Sequence, residues 1–509
     1  MRIVQLLLAP GVALLALLTP RSASQEPAGA VGSPVPAPTP VATSPIRQVI
    51  LITLDTVRAD KLGCYGYFRD TTPQLDRFAQ QCVRFTRCLS PVSNTTPSHA
   101  SMLTGVDPHE HGILNNFFNL PAEEQVGRAL KTSPSLRSFA EVATVAGVRT
   151  GGFVAATPVK RSTGLATGFA EWSEPAPKEP RRVGKLVIAD ARRFLDGLDE
   201  VGGERGFAWL HFFDVHGPVR PPSTPPTKYT QMYRTTPELQ AWMAARGTAE
   251  QLESAHAGNM PTTTAHNLYD GCLRFLDDQL GPFLDLLGTP ERRADTMVLI
   301  VGDHGHGLGQ HDYLSHGLAW DEHLRVPLLV RAPGVEPGVV ETLCSTIDLV
   351  PTVLARAPGF AAAAFSAQLR GRDLLSPDLE PRPLVANSAA QRPTLSLTTS
   401  RWKLVRFIDG THELFDLEAD PHERTDVAVA NGALVQELSR VLLEEIDRQK
   451  RRRELHRHGA GASSGEIDPD VLEELRALGY TEGGEEGGEE GRATGSDAGD
   501  APETGDNGR

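Results

Sequence analysis

The sequence predicts an α/β fold: a mostly parallel sheet flanked by helices, followed by a small C-terminal α+β subdomain. Two observations predict the first part and one the second. Runs such as Val49–Leu54 are apolar at nearly every position, the mark of strands buried on both faces. Such runs alternate with helical stretches over roughly 300 residues, the pattern of a sheet built from strand–helix units. Beyond Gly371 the strand candidates become short and turn-separated, and they end in one amphipathic helix.

In chain order, residues 1–24 read as a signal peptide. Arg2 precedes an apolar run from Ile3 to Leu18, and Ser22-Ala23-Ser24 has the small-x-small form of a cleavage site. Pro10 and Gly11 interrupt that run, which falls short of the roughly 20 apolar residues of a membrane span. Export to the periplasm or beyond is expected, with an uncleaved anchor as the alternative. No other segment is long and apolar enough to span, so stable membrane insertion is not expected. Residues 25–46, rich in Pro, Ala, Ser and Thr, read as a linker. Residues 47–371 form the α/β domain, with strands at Val49–Leu54, Phe207–Phe213, Met297–Val301 and Val326–Val330. Thr72 is placed to cap a helix starting at Pro73, where Leu75, Phe78, Ala79 and Cys82 recur at helical spacing, and Leu268–Leu287 is a further helical stretch.

Residues 372–460 form the α+β unit. Its strands are Leu395–Thr399, Trp402–Phe407 and Glu413–Asp416, with Asp409-Gly410 as a hairpin signal. Ala433–Ile446 presents Leu434, Leu438, Val441, Leu442 and Ile446 on one side of a helix, and the basic Arg448–His458 stretch reads as its solvated end. Residues 461–480 read as a short helical segment and 481–509 as a disordered acidic tail.

A formal charge of −14 over 509 residues excludes the basic face of a nucleic-acid binder. Half of that charge is local, because the tail holds nine acidic residues and two arginines. The five cysteines form no C-x-x-C pair, which argues against a zinc knuckle, and their odd number leaves at least one unpaired within the chain. Cys82 with Cys88 is a candidate disulfide.

Two predicted strands end in aspartate, at Leu54-Asp55 and Gly302-Asp303, and His304 follows the second. Ligands of open α/β sheets gather at the carboxyl ends of strands, and carboxylates joined by an imidazole make a mixed O and N donor set for a divalent cation. A third element is Ser93-Asn94-Thr95-Thr96-Pro97-Ser98-His99. Pro97 suits a first helical turn, which puts Thr95 at the positive end of a helix, where an alkoxide or a bound anion is favoured.

Asp55-Thr56-Val57-Arg58-Ala59-Asp60-Lys61-Leu62-Gly63-Cys64-Tyr65-Gly66 resembles the opening motif of the sulfatase family, within the alkaline phosphatase superfamily. Thr72-Pro73-Gln74-Leu75-Asp76-Arg77-Phe78-Ala79 is similar to the helix that follows it there. Thr95-Thr96-Pro97-Ser98-His99, with Leu103-Thr104-Gly105, stands where that family has Cys-x-Pro-Ser-Arg. Asp303-His304-Gly305 through Gly309 and His311, then Arg325-Val326-Pro327-Leu328, resembles its second metal-binding block. Glu413–Leu417, Asp420-Pro421 and Leu475–Tyr480 resemble its C-terminal part, so the resemblance covers about residues 47–480.

The resemblance implies one divalent cation held by Asp55, Asp303, His304 and the Thr95 oxygen: Ca2+ as in the family, with Mg2+, Mn2+ or Zn2+ as alternatives. It implies an anionic small-molecule, glycan or lipid ester as substrate. His216, in Phe212-Phe213-Asp214-Val215-His216-Gly217-Pro218, is placed to donate to the ester or to protonate its leaving group. His316 lies where the family has a Lys or His that contacts the anion. His306, His311 and His99 are further candidates, and Asp214 is a candidate support for a histidine or a second cation. The polar stretch Arg220–His266 is the expected specificity region.

Three departures bear on the chemistry. The family converts its motif cysteine or serine to formylglycine, a route closed to Thr95, whose oxidation would give a ketone. The signature arginine is His99. The second aspartate of the opening pair is Thr56. Unmodified threonine nucleophiles occur among the phosphodiesterases and phospho-headgroup transferases of the superfamily, which tilts the expectation towards phosphate esters without excluding sulfate. No Asp-x-x-x-His stands out as a clear second-cation motif, so one metal is expected rather than two. The leading expectation is a metal-dependent hydrolase of sulfate or phosphate esters. The alternatives are a transferase acting on an envelope glycan or lipid, and an inactive binding protein, which has no need to retain Asp55, Thr95, Asp303 and His304 together.

Overall fold

The computed structural model describes residues 46–116, 135–216, 225–254, 258–388 and 393–457. The signal peptide, all of the linker but Ile46, the 461–480 segment and the acidic tail lie outside the described residues, as does part of the expected specificity region. The strands are β1 (Gln48–Leu54), β2 (Val83–Leu89), β3 (Arg149–Phe153), β4 (Glu171–Ser173), β5 (Gly206–Phe212), β6 (Gln251–Ser254), β7 (Gly258–Pro261), β8 (Thr296–Gly302), β9 (Arg325–Arg331), β10 (Gly338–Val340), β11 (Cys344–Ser345), β12 (Leu384–Ser388), β13 (Thr394–Thr398), β14 (Trp402–Phe407) and β15 (His412–Asp416). The helices are α1 (Pro73–Ala79), α2 (Thr95–Thr104), α3 (Pro108–His111), α4 (Phe139–Val145), α5 (Gly184–Val201), α6 (Thr227–Thr230), α7 (Pro237–Ala245), α8 (Thr262–Leu287), α9 (Pro290–Asp295), α10 (Asp321–Leu324), α11 (Leu349–Arg356) and α12 (Gly432–Arg457).

The main sheet runs β10-β2-β9-β8-β1-β5-β3-β4, with β11 also on β2, and among these nine strands only β9 opposes the rest. The mostly parallel sheet expected from the sequence is the one observed. Strand periodicity sorts its side chains onto two faces. Val49 and Leu51 of β1, Phe207 and Trp209 of β5, and Met297, Leu299 and Val301 of β8 share one core with Met102 and Leu103 of α2, Phe139 of α4 and Val350 of α11. Ile50, Ile52 and Leu54, Ala208, Leu210 and Phe212, and Val298 and Ile300 join the opposite core under α1, α5 and α8. Both layers exclude water over whole strands, a burial worth roughly 1.5–3 kcal/mol per large apolar side chain.

Local expectations needed correction in four places. Thr72 stands at the N-cap position of α1, but its side chain makes no capping bond. Its hydroxyl pairs with Asp76 (3.0 Å) and the Gly63 N–H, while the Asp277 carboxylate of α8 accepts from Gln74 and Leu75 N–H (2.9 Å each). α1 also ends at Ala79, so Cys82 lies beyond it. Cys82 and Cys88 pack into opposite cores, and all five cysteines are free, so that candidate disulfide is absent. The basic end of α12 is not simply solvated. His456 (3.1 Å) and Arg452 (3.6 Å) reach the buried Glu110 of α3, which Arg370 also grips at 2.7 Å.

The second sheet, β12-β13-β14-β15, is an antiparallel meander. Leu438, Leu442 and Ile446 of α12 cover its Leu397, Leu404 and Leu414. Gly410, at φ +87°, turns β14 into β15 at the expected Asp409-Gly410 position. Among its contacts with the main domain, Asn387 N–H donates to Pro91 O (3.0 Å), and the fully buried Lys403, paired with Glu423 at 2.7 Å, reaches Asp321 at 3.5 Å.

Candidate active site

β1 pairs in parallel with β5 and β8, aligning Leu54 with both Phe212 and Gly302. Asp55 and Asp303 therefore leave neighbouring strand ends side by side. By the alternation described above, both fall on the face that α2 covers. Gly302 is required for the second turn, since a Cβ there would lie 2.7 Å from Val57 O and 3.0 Å from Pro327 Cδ. Thr56 occupies the left-handed region at φ +57°, where its N–H donates to Asp303 Oδ1 (3.0 Å) and its carbonyl accepts from Tyr269 Oη (2.8 Å). The position that lacks the family's second aspartate thus acts through its backbone.

Thr95 is the first residue of α2, and Pro97 lies in its first turn as the sequence suggested. The Thr96 N–H is taken by Asn116 Oδ1 (2.8 Å) and Pro97 has none, so the helix end acts mainly through its dipole. Ser98 Oγ pins this turn to Asp303 O at 2.7 Å. Thr95 Oγ1 lies 3.2 Å from Asp55 Oδ2 and 3.2 Å from His304 Nε2. His304 Nδ1 faces Gly305 O at 2.9 Å, and a carbonyl only accepts, so its hydrogen sits on Nδ1 and its Nε2 lone pair points at the Thr95 hydroxyl.

Ligand atoms of Asp55, Asp303 and His304 all fall within 4.8 Å of one another. Asp55 Oδ1 and Asp303 Oδ2 are buried and have no hydrogen-bond partner among the described residues. Burial pushes the Asp55 carboxyl up to about 8, opposed by the neighbouring Asp303 carboxyl and the Thr95 hydroxyl. Burial, then the Asp55 charge, raises Asp303 well above the usual carboxylate range. Burial draws His304 down to about 3, so it stays neutral and ligand-competent. Two buried carboxylates with orphaned oxygens, beside a bare imidazole nitrogen, fit a divalent cation.

The other candidates divide. His216 and His316 meet at the same end of the sheet, Nε2 to Nε2 at 3.2 Å, and the His316 ring lies 4.6 Å from that of His304. His316 Nδ1 faces Ser93 O at 3.2 Å, which places its hydrogen there and leaves His216 Nε2–H as the donor of the neutral pair. His306 lies close by, 6.1 Å from His316 between ring centres. His99 supports α2 from beneath: its Nδ1–H donates to Thr95 O (2.8 Å). His311 is elsewhere. It stacks on Trp320 at 4.5 Å and binds Glu322 at 2.7 Å. Asp214 accepts from Gly184 N–H (3.1 Å) at the start of α5 and from Gln279 (2.9 Å), so it serves that helix rather than the histidines. Sequence reasoning passed over His211 of β5, which is fully buried with Nε2 at 3.5 Å from Asp55 Oδ2. The available signal was its parity, since it shares the α2 face with Thr53, its partner in register.

Residues 47–360 match the family profile described as Sulfatase. The chain is 27% identical to the Ulvan-active sulfatase of Formosa agariphila over 417 residues, covering 75% of this chain and 76% of that protein. It is 23% identical to the arylsulfatase of Clostridium perfringens, covering 79% and 94% respectively. Among solved structures it is similar to the phosphonate monoester hydrolase of Agrobacterium radiobacter, with TM-score 0.59, 19% identity and coverage of 81% and 96%. A chain solved in complex with D-glucosamine-2-N,6-O-disulfate gives TM-score 0.60, 17% identity and coverage of 81% and 98%. At those identities the two structures speak for the fold.

Proposed function

The chain belongs to the sulfatase family, and we propose that it is an exported, metal-dependent hydrolase of sulfate, phosphate or phosphonate esters that uses unmodified Thr95 as its nucleophile. The observation that carries this reading is the Thr95 hydroxyl at the start of α2, 3.2 Å from both Asp55 Oδ2 and His304 Nε2. The named relatives act on sulfate esters and one fold neighbour on a phosphonate monoester, which sets the substrate classes to screen.

Asp55, Asp303, His304 and the Thr95 hydroxyl are the groups to hold the cation. When bound, the cation supplies positive charge that offsets the carboxylates, favours loss of the hydroxyl proton and neutralises the ester's nonbridging oxygens. The chain does the rest. Thr95 Oγ1 donates towards Asp55 Oδ2. Its oxygen attacks the central phosphorus or sulfur in line, forming one ester bond as the bond to the leaving oxygen breaks. The Thr95 proton passes to Asp55 Oδ2 and is the one the leaving oxygen finally takes up, and His216, whose Nε2–H is shared with His316 at 3.2 Å, is the candidate to hydrogen-bond that oxygen as it departs. Water then cleaves the ester on Thr95 and restores the hydroxyl.

The test uses the full chain and Thr95→Ala, screened against aryl sulfate, phosphomonoester, phosphodiester and phosphonate monoester substrates. We expect activity on at least one class, falling by roughly 10³-fold or more in the variant, as for other lost nucleophiles. A quenched reaction should carry a phosphoryl or sulfuryl adduct on the Thr95 peptide. Equal rates for the two proteins would reject the role given to Thr95.

A further inference from the structure

His211 lies on β5, in register with Thr53 of β1 and edge-on to His99, with ring centres 5.0 Å apart. Its Nδ1 accepts from the N–H of Ala155, just past β3, at 3.3 Å. A backbone N–H only donates, so Nδ1 is bare and the hydrogen of the neutral ring sits on Nε2. Burial keeps the ring neutral, drawing its pKa down to about 3. The Nε2–H makes no hydrogen bond with the described residues, and the acceptor in front of it is Asp55 Oδ2 at 3.5 Å. That oxygen is the one that also faces the Thr95 hydroxyl.

His99, the other histidine of this layer, is committed in the opposite sense. Its Nδ1–H goes to Thr95 O, and its Nε2 faces Thr53 Oγ1 at 3.0 Å, a hydroxyl that accepts in turn from Trp209 Nε1 at 3.0 Å. It stands 3.8 Å from Asp303 Oδ2 with no hydrogen to spare for it. Of these two histidines, His211 is therefore the one with an N–H free to turn towards Asp55 Oδ2.

We propose that His211 is a positioning residue: through Ala155 on one side and Asp55 Oδ2 on the other, it fixes the Asp55 carboxylate so that partnerless Oδ1 and the Thr95 hydroxyl face the cation. The role rests on the cation reading given above. It carries more weight here because Thr56 leaves β1 with a single carboxylate at its tip. Outer partners of this kind orient metal ligands, and their loss costs about 10–100-fold in metal affinity.

The test is cation affinity of the chelator-treated full chain, titrated separately with Ca2+ and Mn2+, the tighter binder serving as probe. His211→Phe preserves the aromatic packing and removes the N–H, and its affinity should fall about 10–100-fold. His211→Gln returns an N–H at similar reach and should recover affinity to within about threefold of wild type, as expected of an orienting hydrogen bond. A merely structural histidine would lower the melting temperature of the cation-free variants and leave affinity alone. Unchanged affinity in a folded His211→Phe overturns this role while sparing the cation reading. Absence of binding by the wild-type chain overturns both. Should His211→Phe fail to fold, His211→Asn, whose amide stops short of Asp55, replaces it: Asn weak and Gln tight supports the role, and equal affinities overturn it.

Discussion

Asp55→Asn should flatten the loss of folding stability that the cation-free protein suffers as pH rises. The Asp55 carboxyl sits near 8 when folded, against about 3.8 in the unfolded chain, so the folded protein keeps a proton that the unfolded chain gives up. A folded pKa above the unfolded one means stability that is full below the lower value and is lost as pH climbs towards the higher one. One retained proton gives a slope of about 1.4 kcal/mol per pH unit. The buried histidines drawn below their ordinary value are half protonated in the unfolded chain at about pH 6.5, but they are common to both proteins, so the comparison runs over the window from there to about pH 8. Over it, wild type should lose about 2 kcal/mol that Asp55→Asn retains. The assay is urea unfolding with chelator present, read as the difference between the two proteins. Asp277 and Glu423, each near 7, Lys61, near 8, and His311, near 9, are common to both and cancel, whereas Asp303, raised by burial and then by the Asp55 charge, relaxes downward in Asp55→Asn and adds to the difference in the same direction. A difference that stays flat across the window, or reverses sign, refutes the reasoning. Saturating cation should remove the effect, since a ligand at 1,000 times its Kd adds about 4 kcal/mol to the folded form.

Three further outcomes are expected. Gly302→Ala forces a Cβ to 2.7 Å from Val57 O and should cost about 1–3 kcal/mol in unfolding experiments, with weaker cation binding because Asp303 is displaced. Glu110→Gln strands Arg370 and the end of α12 and should destabilise by about 3–5 kcal/mol, measured by denaturation, without altering kcat per folded molecule. His311 is held near 9 because Glu322 outweighs the opposing effect of burial. His311→Gln should therefore lower stability by up to about 3 kcal/mol below pH 6.5, with the deficit vanishing as pH rises through about 9.

The strands that carry the site were legible because burial on both faces leaves nearly continuous apolar runs. β1, β5, β8 and β9 each lie within one residue of the ranges read from sequence. β3 was not, and its packing explains why: Gly151 and Gly152 sit against Phe153, Phe194 and Trp172, where any Cβ would collide, and glycines erase a strand signal. β2 was hidden by Arg84 and Arg87, which break its apolar run. Within the site, aspartates at strand tips and a threonine at a helix start announce themselves locally. Asp214 and His311 carry the same residue-level signal yet point into helix and aromatic contacts, which only tertiary structure decides. His211 was obscured for the converse reason, as one polar residue inside an apolar strand passes for a tolerated exception.

Asp55, His211 and Asp303 reach the same side of the sheet because an odd number of steps separates each from the apolar residues that face the opposite layer. Deleting or inserting a single amino acid inside β1, β5 or β8 would preserve composition, and most of the hydrophobic content, while turning that strand's reactive group through to the far layer. Pairs of residues could be gained or lost with far less harm. Variation among relatives of this chain should therefore be tolerant in the connecting loops and nearly free of single-step length changes in these three segments, whatever ester each one cleaves.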